Sequence, residues 1–538
     1  MLLKPFLYRI RAASNLPLGL LFPLFLAALI LSHWNLLHLP YFWDEGGYYI
    51  PAALDFFKTG TLIPQSTVTN AHPPLPSLLL AGWWHIAGFA IISTRILICM
   101  VAAAALLGFY RLARRIVSVP VAVVSTTLTA SYPIWFAQST LAHADIFAAA
   151  FTLWGLAFYL PHLALPKAVN QPKSRNRRDL IGTFLMFSLA ALSKETAILT
   201  PLALALWEAV RFLRHRKQAA PLHWLLALST PTLPLFAWYG YHFHKTGFVF
   251  GNPEFLRYNA TANLDAYRIA LCLLHRLLHL TVHMNMFVPV ACTIAVLFIP
   301  ATRPRLPRAI STALFIVLAT NLVEFSILGG ALLTRYLLPM YPLILLLCVA
   351  EWQHRMKHWA GLAALSFTGF LCGIWINPPY AFAPEDNLTY RDMIVLHQRA
   401  IDILQQRFPV ATVLTAWPVT AELARPEIGY TQHPFRVTAI QNFSIGPMRK
   451  AAADPGSYDT ALIFSTKWEP PPGKINIGRQ NEPADARYFD FHHDLRPIEA
   501  ARLLHGEVVW QASLRGEWAA VLHFPRIVNA ALGSSISR

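Results

Sequence analysis

The sequence predicts a polytopic α-helical membrane protein of about eleven spans, with a small α/β domain at its C-terminal end. Three observations carry that reading. Hydrophobic residues fill 55% and charged residues 13% of the 538 positions, where a soluble protein carries roughly a quarter charged. Apolar runs near the ~20 residues needed to cross a bilayer recur from Leu16 to Ile376. Beyond Asn377-Pro-Pro379 the composition turns soluble, with more charge and proline and no cysteine. The boundaries expected are therefore a membrane domain over 1–376 and a soluble domain over 377–538.

Basic residues set the orientation. Lys4, Arg9 and Arg11, Arg111 to Arg115, Lys167 to Arg178, Arg211 to Lys217 and Arg303 to Arg308 lie in short segments between apolar runs, the positive-inside pattern. The net charge of +17 thus belongs to loops beside a membrane, not to a phosphate-tracking face, and no nucleic acid is expected.

From an inside start, Leu16 to Leu37 forms a first span that is retained rather than cleaved. The loop from His38 to Pro74 is external, with an interfacial helix over Tyr48 to Lys58. Leu75 to Phe89 reads as a surface or partly inserted helix. Spans follow at Thr94–Tyr110, Val117–Tyr132 and Ala142–Leu160. The stretch between Arg178 and Arg211 has basic flanks, so it crosses an even number of times or forms a buried hairpin, with Lys194-Glu195 at the turn. Further spans are expected at Leu222–Tyr241, Met284–Pro300, Ala309–Leu328, Tyr336–Ala350 and Trp359–Ile376. An odd total puts residues 377–538 outside. There Tyr390, Ile394, His397, Ile401, Leu404 and Phe408 recur at helical spacing. Strands are expected at Val410–Thr415, Thr460–Phe464, Glu507–Gln511 and Trp518–Phe524.

The five cysteines show no disulfide or zinc spacing. The chain has no P-loop, no glycine-rich dinucleotide turn and no Asp-x-Asp element, and its inside loops are too short to fold around a nucleotide. Chemistry therefore falls at the outer membrane level, on a substrate that arrives activated. The polar residues expected there include Asp44, Glu45, His72, Asp145, Lys194, Glu195, Arg257, Tyr258 and Arg335. Acids at that depth are costly unless they face water, a partner or a substrate. A carboxylate can take the proton of an acceptor hydroxyl attacking an anomeric carbon. Lys and Arg can stabilise a departing phosphate, which needs no general acid.

Trp43-Asp-Glu45, Ala71-His-Pro-Pro-Leu75, Leu192-Ser-Lys-Glu195 and Thr334-Arg-Tyr-Leu-Leu-Pro339 occur in this order. In them residues 1–376 resemble the GT-C membrane glycosyltransferases that use polyprenyl-phosphate sugars, the group of protein O-mannosyltransferases and lipid A aminoarabinose transferases. The resemblance implies an inverting glycosyltransferase that moves a sugar from a polyprenyl-phosphate donor to a hydroxyl of an external lipid, glycan or protein. It further implies a bacterial inner membrane location with the site facing the periplasm or exterior. Asp44 then corresponds to the catalytic carboxylate, Glu45 to its neighbour and Asp145 to a second site aspartate. Adjacent residues point apart on a helix, so one of Asp44 and Glu45 is expected at the reacting centre. Lys194, Arg335, His72, Arg257 and Tyr258 correspond to groups around the donor phosphate, although His72 replaces a fully basic residue. Some family members bind a divalent metal near the acids, and His242, His244, His275, His279 and His283 could contribute ligands; His275, His279 and His283, at i, i+4 and i+8, equally form one face of an interfacial helix. A transporter or flippase is the rival reading. Such proteins show paired broken helices in two matching halves, which this sequence lacks.

Overall fold

A computed structural model of the chain describes residues 18–67, 69, 71–164, 173–214, 220–251, 264–303, 306–328, 330, 332–471, 473–478, 482–489 and 491–525. Two compact units are distinguished. One comprises Met1–Pro379, Ala383–Tyr390 and Arg487–Phe489, the other Tyr380–Phe382, Arg391–Ala486 and Asp490–Arg538.

The regular secondary structure among the described residues of the first unit is all helical. By length and composition, four helices can cross a membrane: Ile91–Ile116, Ala144–Leu163, Glu195–Arg214 and Arg308–Ile327. Shorter apolar helices cover Gly19–Ser32, Val119–Ser131, Phe287–Leu297 and Ala360–Trp375. The helix expected over Tyr48 to Lys58 within the first external loop forms over Ile50–Thr59 and ends where Gly60 adopts φ 71°, its N–H donating to the Phe56 carbonyl. That left-handed cap is open to glycine at no steric cost. The run expected as one span over Leu222–Tyr241 is instead two helices, Ala220–Ser229 and Thr232–Thr246. Pro231 intervenes, and a proline disfavours helical backbone in the residue before it. A helix over Ala266–Thr281 lies between the spans expected at Leu222–Tyr241 and Met284–Pro300.

Three glycines let neighbouring helices close on aromatic rings. A Cβ at Gly108 would stand 2.7 Å from the Trp154 ring, one at Gly155 2.9 Å from Phe187, and one at Gly182 2.7 Å from Phe158. Small residues at such interfaces are how helices approach without water to drive them together. The contacts join Ile91–Ile116, Ala144–Tyr159 and Lys173–Ser193. At the far end of the Ala144–Tyr159 helix from Asp145, buried Glu208 accepts hydrogen bonds from Tyr159 Oη at 2.6 Å and Arg211 at 2.7 Å. The bundle is thus pinned at that end, while Asp145 begins one helix and Lys194 follows the end of the next.

The second unit holds a five-stranded sheet in the order β2-β1-β3-β5-β4. Its strands are β1 (Thr412–Ala416), β2 (Arg436–Ile440), β3 (Thr460–Phe464), β4 (Glu507–Leu514) and β5 (Glu517–His523). β1 runs parallel to β2 and β3, whereas β5 is antiparallel to β3 and β4. β3 is buried at every position and alternation disappears, as in a strand covered on both faces. The expected helix forms over Thr389–Arg407, and its His397 stacks edge-on against Phe464 of β3, with centroids 4.6 Å apart. Glu517, fully buried, accepts a hydrogen bond from the Ser465 hydroxyl. Burial pushes its carboxyl up to about 8.

Candidate active site

The first external-loop motif folds as a strained turn. Trp43 has φ 49°, a value uncommon for a bulky residue and of the kind that clusters at functional sites. A turn of π-helix, Glu45–Tyr49, follows, with Gly46 and Gly47 inside it. The geometry sends the two adjacent acids in different directions.

Glu45 is fully buried. Its Oε1 accepts from Arg95 and from the Ala142 N–H at 2.5 Å, and its Oε2 accepts from the Phe42 N–H at 2.7 Å. Arg95 also donates to the carbonyls of Thr140 at 2.6 Å and Pro40 at 2.8 Å. Glu45 therefore ties the 40–45 turn to the 140–142 segment, and both its oxygens are occupied. Asp44 turns the other way, with its side chain 18% exposed, and Asp44 Oδ2 accepts from Arg335.

Arg335 sits in a short 3-10 turn, Thr334–Leu337, just before the Pro339 that starts the Met340–Arg355 helix. Each edge of its buried guanidinium meets a different acid: Asp44 at one Nη, Glu385 at the other, and Asp145 Oδ2 at 3.3 Å from Nε. Burial alone would lower the Arg335 pKa, but Glu385, Asp44 and Asp145 outweigh it and hold the guanidinium protonated. Asp145 Oδ1 accepts from Lys194 Nζ at 2.5 Å. Lys194 also stands 3.8 Å from the centre of the Tyr336 ring, a cation–π distance. Thus Asp44, Asp145, Lys194 and Arg335 meet in one cluster. Beside Asp145, Lys194 and Arg335 opens a small cleft, lined also by Tyr336, Thr200, Asn321 and Phe325.

His72 lies elsewhere in the site. It follows Ala71, whose φ is 58°, and its Nδ1 is 2.9 Å from Glu195 Oε2. Arg257 and Tyr258 lie outside the described residues. Among the described residues, no group of three or more His, Cys, Asp or Glu is arranged to hold a metal ion. Asp44 and Asp145 share a guanidinium instead. His283 pairs with Asp386 at 2.8 Å, and His242 is within hydrogen-bonding distance of Thr69 and the Phe248 carbonyl.

Two participants carry little local signal. Glu385, in the Pro384–Asp386 turn, is buried, and its Oε1 has no hydrogen-bond partner. Burial pushes its carboxyl up to about 8, against the opposing pull of Arg335, with Asp44 and Asp386 adding to the rise. Arg276, on the Ala266–Thr281 helix, donates to the carbonyls of Phe325 at 3.2 Å and Leu333 at 2.6 Å and lies 5.6 Å from the Tyr336 ring centre. It brings a further cation to the same tyrosine. An arginine next to one histidine and three residues before another on a helix reads as a solvated face until its neighbours are known.

Residues 71–239 match the family model described as dolichyl-phosphate-mannose-protein mannosyltransferase. A search of curated protein sequences returns no match. Among solved structures, the chain is similar to ArnT from Cupriavidus metallidurans bound to undecaprenyl phosphate, at 14% identity and a TM-score of 0.54, covering 93% of this chain and 97% of that one. It is similar to the apo state of the same ArnT at 13% identity and a TM-score of 0.52, covering 92% and 97%. The fold is shared over nearly the full length of both chains, and the mannosyltransferase signature spans the segment carrying His72, Asp145 and Lys194. The chain therefore has the multi-pass membrane fold of ArnT, and its residues 71–239 are similar to the dolichyl-phosphate-mannose-protein mannosyltransferases.

Proposed function

We propose that the enzyme transfers a single sugar from a polyprenyl-phosphate donor to a hydroxyl of a lipid, glycan or protein acceptor, with inversion. The observation that carries this is the convergence of Asp44, Asp145 and Glu385 on one guanidinium, with Lys194 at hand, beside a cleft. Asp44 is the general base. It is the most exposed of these acids and has a single cationic partner, which leaves an oxygen for the acceptor hydroxyl. Arg335 and Lys194 receive the phosphate as the glycosidic C–O bond breaks, in a site where fixed charge is worth more than in water. Asp145, engaged by both cations, is a positioning residue for them. Glu45 holds the loop that presents Asp44, and His72 with Glu195 borders the site. A family model for dolichyl-phosphate-mannose enzymes and a fold shared with an ArnT that binds undecaprenyl phosphate support a lipid-phosphate donor. The basic clusters between spans support a bacterial inner-membrane protein with this site, and residues 377–538, on the periplasmic side.

The test is transfer of radiolabel from polyprenyl-phosphate sugars by the purified protein. Label should appear in acceptor with wild type and vanish with Asp44→Asn. Movement of the lipid-linked sugar across vesicles with no new covalent product would overturn the reading in favour of a transporter.

A further inference from the structure

We propose that Glu385 is an internal stand-in for the donor's phosphate: it occupies one edge of Arg335 in the empty enzyme and yields that edge when the lipid phosphate arrives. The inference rests on the phosphate reading above and adds to it the group that must leave.

A guanidinium offers a limited set of N–H edges. Here Nε faces Asp145, one Nη faces Asp44 and the other faces Glu385. Every nitrogen of Arg335 already faces an acid, so a phosphate that grips it through two nitrogens competes with one of these acids for its place. Asp145 is also held by Lys194 at 2.5 Å, and Asp44 is the proposed base. Glu385 has neither tie. Its second oxygen is buried without a hydrogen-bond partner, so a single contact keeps the side chain in place.

The turn beneath it, by contrast, is anchored. Asp386 accepts from the Thr334 hydroxyl and pairs with His283 at 2.8 Å, and its N–H donates to Ala383 O at 3.0 Å. Asn387 donates to Gly373 O at 3.2 Å. The backbone can therefore stay while the glutamate side chain rotates.

Charge explains why the exchange needs a proton. Three acids face two cations before any ligand enters. A phosphodiester adds another negative charge, and a carboxylate released from Arg335 into a buried setting is unstable. Glu385 leaves as the neutral acid, taking its proton from solvent wherever it was ionised. The charged groups around it are Arg335, Asp44, Asp145 and Asp386, with His283 and Tyr341 acting on Asp386. The packed helix Pro133–Gln138 brings no ionisable side chain. Since burial holds Glu385 up to about 8, proton uptake accompanies phosphate binding above that pH and not below it.

The experiment is calorimetric binding of methyl undecaprenyl phosphate to the full chain in nanodiscs between pH 6.5 and 9.5. This diester carries one charge that does not titrate in that range. Wild type should hold its affinity up to about pH 8 and then lose up to about tenfold per pH unit. Glu385→Gln, with a melting curve like that of wild type, should bind independently of pH and about tenfold tighter than wild type at pH 9. Should that variant not fold, Glu385→Asp should bind tighter than wild type at pH 7 and keep the alkaline loss. A Glu385→Gln protein that follows the wild-type pH curve, or binds more weakly at every pH, overturns the stand-in role. Arg335→Gln separates the two levels: if it binds like wild type, the phosphate reading itself fails, whereas its loss with an unchanged Glu385→Gln profile sinks this proposal alone.

Discussion

Neighbouring acids in Trp43-Asp-Glu45 should respond to the same chemical change in opposite ways. In Glu45→Gln the amide oxygen can face Arg95 and the Ala142 N–H, but the new NH2 then points at the Phe42 N–H, a donor set against a donor. Arg95 is about 1% exposed and loses its counter-charge, retaining only carbonyl partners. Removing one member of a buried pair costs about 3–5 kcal/mol. Asp44→Asn is different, because Arg335 keeps Asp145 and Glu385 and the side chain is part-exposed. Its stability cost should be about 1 kcal/mol, while losing a general base should slow transfer about 100- to 10,000-fold. Unfolding in mixed detergent micelles, followed by tryptophan fluorescence, gives the first quantity, and turnover of a labelled lipid-phosphate sugar gives the second. The double change Glu45→Met with Arg95→Met should recover much of the lost stability, since an apolar pair replaces two desolvated charges. If Glu45→Gln unfolds like wild type yet loses turnover, Glu45 belongs to the chemistry and the division of roles is wrong.

Asp145→Asn should reduce both stability and turnover, because Lys194 and Arg335 share its carboxylate; adding Lys194→Met should restore stability in the same micelle assay but not activity. Gly155→Leu should cost about 1–3 kcal/mol and raise KM, since even a Cβ there meets Phe187 at 2.9 Å on the helix that leads to Lys194; unchanged melting would show that the interface can yield. In the sheet unit, the raised Glu517 carboxyl favours the fold in its protonated form. Its contribution is full below about 4.5 and is lost as pH rises towards about 8. Glu517→Gln should therefore flatten the decline in stability of the full chain between pH 5 and 8, and a parallel decline would refute the assignment.

The helices were legible because a run of apolar residues long enough for a bilayer has few other uses. Ala266–Thr281 showed only as a histidine face that fits a helix as well as a ligand set, because Arg268, His275, Arg276 and His279 interrupt its apolar face. Those arginines are buried, which no local count reveals. β2 escaped for the converse reason: Arg-Val-Thr-Ala-Ile pairs only with β1 at the sheet's edge and is half-exposed, so neither an apolar run nor alternation marks it. The site shows the same limit more sharply. The sequence displays which charges flank the apolar runs, since that follows from position along the chain. It does not display which charge faces which. Glu45 finds Arg95 and Ala142, and Glu385 finds Arg335, only after the helices have packed. Pro384-Glu-Asp-Asn387, just past the Asn377-Pro-Pro379 boundary, therefore carries no local sign of that partner. A carboxylate's role depends on its partners: with every lone pair taken it is scaffold, with one cation and some exposure it can act as a base, and with one cation and no water it is poised to take a proton. Glu45, Asp44 and Glu385 occupy those three conditions. Chemically similar residues within one site are thus divided among tasks by long-range packing.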